Sequence, residues 1–207
     1  MDQFDLRKRQ KILEQLEWDL PAIEKRFNSL VINGISPKRL DPQTICAQKA
    51  ALLDRVQLRG EEYCYLTRNC AKGSAASLLE EFGLGNMEII KALGPFPGLG
   101  MSGGICGPVA GGLIALGLYF SDEDLIKHGD PVPYIMAQKY IRRFEAAMGS
   151  LMCPDIQKTL LGKYFDPMSG ADNQEEFNKV HAREKCPLAP GIGARLAAEI
   201  IVESMAV

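Results

Sequence analysis

The chain has 207 residues, with 24 basic and 26 acidic side chains and a net charge of −2. That balance leaves no electrostatic footprint for nucleic acid or an anionic membrane. A hydrophobic content of 46% and a charged content of 24% are those of a soluble globular chain, long enough to bury a core without disulfide staples.

The first residues, MDQFDLRKRQKILEQLEWDL, are charged throughout and lack an apolar signal core. Phe4, Leu6, Ile12, Leu13, Leu16 and Trp18 recur at roughly helical spacing. Pro21 suits the first turn of a second helix, whose apolar face continues through Ile23, Phe27, Leu30 and Val31. NGISP, residues 33–37, stops the pattern. Residues 1 to about 36 therefore predict an amphipathic helical arm. Its apolar stripe either packs on the chain's own core or forms a homodimer face.

Further helices are expected over 43–58 and over about 60–82, the second ended by Gly83 and Gly85. A short one follows over 87–93. An apolar helix runs from about Pro108 to Phe120, too short and too glycine-rich for the ~20 residues of a membrane span. Asp130 and Pro131 open another, ended by Gly149. Short helices follow Cys153 and Asn173, residues 166–173 form a loop, and the last helix spans about 194–205. No strand alternation and no repeat is visible. The expected fold is all-α, a multi-helix domain with a glycine-rich loop and the N-terminal arm. The expected division is 1–55 for the arm and 56–207 for a cysteine-bearing redox domain. The absence of a leader or span predicts a cytoplasmic protein, where six cysteines are thiols, metal ligands or catalytic groups.

GLGMSGGICGPVAGG, residues 98–112, holds seven glycines. Gly98, Gly100 and Gly103 fit G-x-G-x-x-G, yet Pro95 and Pro97 argue against the strand a dinucleotide fold needs before them. No Gly-Lys-Ser/Thr closes a P-loop, so no nucleotide is expected. Cys106 precedes Gly107 and Pro108 and stands at a helix N-terminus. Orphan N–H groups and the positive end of the helix dipole favour a thiolate there. The surrounding glycines, Gly104 and Gly107 among them, let backbone amides approach a bound group.

The same device recurs at Cys153-Pro154 and Cys186-Pro187. Cys70 lies in RNCAKGSAASLLEEF, among small residues that let another group come close. Cys64 falls on a different face of the expected helix, and Cys46 reads as a core thiol. No C-x-x-C occurs, so any shared site is gathered from distant helices. His128 and His181 read as surface residues, His181 also as a fifth ligand or proton donor near Cys186. The acidic runs at 61–62, 80–81, 122–124 and 175–176 read as solvated helix ends.

The order of Asn69-Cys70-Ala71, Cys106-Gly107-Pro108-Val109-Ala110-Gly111, Gly149-Ser150-Leu151-Met152-Cys153 and Cys186 resembles the C_GCAxxG_C_C family of redox-active proteins. The resemblance spans roughly residues 55–206, with Pro108 in the place of the usual alanine. It implies a helical domain whose Cys70, Cys106, Cys153 and Cys186 act as a redox or metal centre. The family is also similar to the cluster-bearing part of split-Soret cytochromes c, but this chain has no haem attachment motif. The reading is an electron-transfer protein with an iron–sulfur cluster on those four thiolates, [2Fe–2S] favoured, working with a redox partner protein. A metal-free thiol/disulfide oxidoreductase and a zinc-structured metal-handling protein are the alternatives.

Overall fold

The computed structural model describes residues 5–166 and 168–205, so Phe4 lies outside it. Helices α1 (Leu6–Gln15), α2 (Leu20–Asn33) and α3 (Pro42–Ala47) form the N-terminal part. The side chains of Asp5, Asp19 and Asp41 cap them, each accepting a first-turn backbone N–H. Then come α4 (Lys49–Thr67), α5 (Cys70–Phe82), α6 (Met87–Ala92) and a one-turn segment α7 (Gly98–Met101). The rest is α8 (Gly107–Phe120), α9 (Val132–Met148), α10 (Cys153–Leu161), α11 (Ala171–Lys179), α12 (Ala182–Lys185) and α13 (Leu188–Met205). The fold is all-α. Among the described residues there is no strand, only an isolated antiparallel bridge between Ile105 and Met152. No described helix is long and apolar enough to cross a membrane.

The core is the mutual packing of α4, α5, α8 and α13, with α9 laid across α8 and α13. These helices cross closely because they meet through small residues. A Cβ on Gly111 of α8 would overlap Ser74 Oγ, and one on Gly112 would overlap the Tyr140 ring. The Tyr140 hydroxyl donates to Pro108 O at 2.7 Å and ties α9 to the start of α8. Leu13 and Ile23 of the arm are buried in the same apolar cluster as Val56, Leu78 and Ile201. The arm's apolar stripe thus packs on the chain's own core.

Several boundaries differ from the expected ones, including a split of the 43–58 helix at Gln48 and a start of α11 at Ala171, inside the expected loop. The stretch expected as one helix over 60–82 is broken at Arg68, which adopts left-handed φ 52°, and Asn69 caps a new helix. Gly60, expected as a start, lies inside α4 facing Pro190 O. The last helix begins at Leu188, earlier than expected. Pro190 sits in its first turn, where an N–H is not required, and Gly191 and Gly193 admit Glu61 and Pro108 against the helix.

The acidic runs at 61–62 and 80–81 are not solvated ends. Glu61 is fully buried and pairs with Arg9 of α1. Glu62 pairs with Arg26, and Glu80 accepts from the Tyr63 hydroxyl at 2.6 Å. Glu81 takes a two-pronged contact from Arg55, at 2.6 and 2.9 Å. This seam fastens the arm to α4 and α4 to α5.

Candidate functional site

Three cysteines stand at helix starts, and a fourth stands in the turn between two helices. Cys70 is the first residue of α5, behind Asn69, whose side chain accepts from Lys72 N at 2.9 Å and donates to Gly94 O at 3.0 Å. Cys106 is the N-cap of α8, with Pro108 in the first turn. Cys153 opens α10, with Pro154 behind it. Cys186 closes α12 two residues before α13.

The bridge orients two of them. Cys106 N donates to Leu151 O at 2.8 Å, and Cys153 N donates to Gly104 O at 2.9 Å, on either side of the Ile105–Met152 pair. Side chains alternate on such a ribbon. Ile105 and Met152 are each 40% exposed on its outer side, so Cys106 and Cys153 share the inner side. They sit diagonally, a placement with Cα atoms about 7–8 Å apart.

The inner side faces a cavity of about 560 Å³. Cys70, Cys106, Cys153 and Cys186 all line it, and so does Cys64. Sequence reasoning left Cys64 out, because a continuous helix would have turned it away from Cys70. The left-handed residue Arg68 reverses the chain between α4 and α5 and brings both thiols to one wall. Asn69, a strong N-cap residue, was the available signal. Cys46 is half-buried on α3 and packs against the core, away from the cavity. His128 and His181 are exposed and do not line it.

The glycines serve sulfur in a different way from the one expected. A Cβ on Gly107 would overlap Cys70 Sγ, and one on Gly98 would lie 3.6 Å from Cys153 Sγ. Gly73 likewise leaves room for Cys64. The Gly104 N–H is spent on Gly98 O at 2.9 Å, and neither Gly104 nor Gly107 lines the cavity.

The thiols differ in acidity. Hydrogen-bonding contact with the Cys153 sulfur, then with that of Cys70, and burial hold the Cys106 proton well above the usual range. Accepting from Cys106 lowers Cys153 to about 7, helped by Gln157 Nε2 at 3.5 Å. The acidic thiol is therefore Cys153, where helix position alone pointed to Cys106. Burial raises Cys186, and the neighbouring Cys70 and Cys153 add to it. Burial also raises Cys64, with Cys70, Cys186 and Glu61 nearby. Among the described residues no three His, Cys, Asp or Glu groups stand where they would hold a single ion. The thiols ring a space instead of meeting at a point.

A family model described as "Putative redox-active protein (C_GCAxxG_C_C)" matches residues 68–200, more than half of the chain. The chain belongs to the C_GCAxxG_C_C family. Cys70, Cys106, Cys153 and Cys186 all fall inside the matched span, and Cys46 and Cys64 fall before it. The C_GCAxxG_C_C match starts some residues later than the resemblance first drawn from the motifs, at the turn that opens α5. No curated protein and no solved structure matches the chain.

Proposed function

We propose that the protein carries single electrons through an iron–sulfur cluster held by Cys70, Cys106, Cys153 and Cys186, with [2Fe–2S] the favoured form. One observation carries the reading: four cysteines, three at helix starts and Cys186 in the turn between α12 and α13, line one cavity. The donor chemistry suits such a group. Thiolates are the usual cluster ligands, and among the described residues the wall holds no carboxylate and no imidazole to compete with them. A two-iron cluster takes two ligands on each iron, so it asks for thiols in pairs around a space. When bound, it would supply one-electron transfer. The chain's own part is to deprotonate the thiols, to exclude water, and to set the potential through the helix-start N–H groups beside the sulfurs. Cys106 gives up its proton on ligation, against the burial and thiol contacts that hold it.

The hydrogen bond between Cys106 and Cys153 favours a second reading, a thiol pair that cycles through a disulfide. Their diagonal placement opposes it. A disulfide asks for Cα atoms about 4.4–6.8 Å apart, so the ribbon would have to shift.

Purification without oxygen, followed by iron and sulfide analysis and a visible spectrum, tests both. About two irons and two sulfides per chain, with absorption that bleaches on reduction, is the expected result. The absorption should vanish in Cys106→Ser and persist in Cys46→Ser. Iron-free protein that resists reconstitution, with a Cys106–Cys153 disulfide found by mass mapping, would move the function to thiol exchange. One zinc per chain and no colour would make the site structural.

A further inference from the structure

The cavity has a second wall, built from α4, α11 and α12. Arg183 of α12 places its guanidinium carbon 4.5 Å above the Tyr65 ring. Trp18 stacks on the same ring, with centroids 4.9 Å apart and an interplanar angle of 21°. Two groups at these separations cannot share one face of a phenol, so Trp18, Tyr65 and Arg183 form a three-layer stack. Tyr65 and Arg183 line the cavity.

Arg183 lacks the partner its environment calls for. Arg9, Arg26, Arg59, Arg143 and Arg195 are half-buried, and each has a carboxylate. Arg183 is half-buried too, and among the described residues it has none. Its Nε is buried with no hydrogen-bond partner. Such an orphan donor is costly unless a bound acceptor answers it. Exposed Arg68 lines the same cavity, also without an acid. The wall adds the amides of Gln174 and Asn178 and the hydroxyl of Tyr164, and among the described residues it contains no Asp, Glu, Lys or His. A volume of about 560 Å³ falls within the size of small-molecule sites.

We propose that this wall binds the oxyanion group, carboxylate or phosphate, of a small molecule whose remainder lies toward the thiols. The Nη donors of Arg183 match such a group, and stacking on Tyr65 fixes the fork's position. Arg68 adds a second positive charge, and the two set the sign of the ligand. That the bound molecule exchanges electrons with the thiol centre rests on the function proposed above. The binding itself does not.

Trp18, the sole tryptophan, sits two layers from the fork and reports on it. Sodium phosphate and sodium acetate, each titrated at constant ionic strength against chloride, are followed by tryptophan fluorescence and calorimetry. Both the metal-loaded and the metal-free protein are used. The expected result is saturable binding of one of the two anions, and the anion that binds tells phosphate from carboxylate. Arg183→Met should weaken it at least about tenfold, Arg183→Lys should fall between, and Arg142→Met on the outer face of α9 should match the wild type. If Arg183→Met does not fold, Arg183→Lys and Arg68→Gln decide. Binding of neither anion to the wild type overturns the proposal. Unchanged binding in Arg183→Met overturns it as well. Loss of visible absorption in Arg183→Met, with no anion bound by the wild type, makes Arg183 a counter-charge to the cluster instead. Protein that resists iron–sulfur reconstitution and still binds one of the anions overturns the cluster and leaves this site standing.

Discussion

Two interior polar regions of this molecule follow opposite rules. Along the seam of α1, α2, α4 and α5, the acids Glu61, Glu62 and Glu81 each face an arginine. At the cavity, buried thiols and two arginines face each other across open space with no carboxylate among them. The seam is complete within the chain, as a structural device must be. The cavity, on the function proposed here, is completed by a bound group.

Substitution sharpens that contrast. Arg9→Ala should have the largest effect, because it leaves Glu61 fully buried with only Gln57 Nε2 at 3.3 Å. A loss of about 3–5 kcal/mol in denaturant unfolding is expected. Arg183→Met leaves no buried acid behind, and should cost about 1 kcal/mol or less of stability while weakening anion binding at least about tenfold. Equal losses from the two would erase the distinction.

Glycines give the next test. Gly107→Ala pushes a methyl into Cys70 Sγ and to 2.7 Å from Ala71 N, for a loss of about 1–3 kcal/mol and a displaced thiol. Gly117→Ala, on the same helix with nothing within 4 Å, should gain about 0.4–1 kcal/mol. Thermal unfolding of the pair reads both signs.

Acid should act on the paired regions first. Lys139 and Arg143 hold the Glu203 carboxyl at about 2 against the opposing pull of burial. Its folded pKa lies below its unfolded one. Its contribution to stability is therefore present above the unfolded carboxyl pKa and fades as pH falls toward 2. Glu203→Gln should flatten the acid limb of a stability–pH curve. The smallest effect belongs to the exposed Lys179–Glu175 pair, where Lys179→Ala should change stability by no more than about 0.5 kcal/mol.

Much of this was legible in the residues. Gly83 and Gly149 ended their helices in left-handed turns as read, and the cysteine–proline pairs marked helix starts. The break after Thr67 was hidden because its left-handed residue is Arg68, which carries no sequence signal. The start of α13 was hidden because proline and glycine, usually breakers, were serving a first turn and a close crossing. The buried acids were hidden because their arginine partners are distant in sequence: Arg9 lies 52 residues from Glu61. Cys64 joined the cavity only through that same unseen break.

The bridge between Ile105 and Met152 has a consequence for how this chain tolerates change in length. It acts as a parity check. Sliding one segment past the other by a single residue would turn one sulfur to solvent and seat Ile105 or Met152 in the cavity. Between Cys106 and Cys153 the chain passes through the exposed surface loop at 121–131, where residues can be added without altering that alignment. Spacing between the two cysteines is thus free to vary at the loop and is fixed, to the residue, at the bridge.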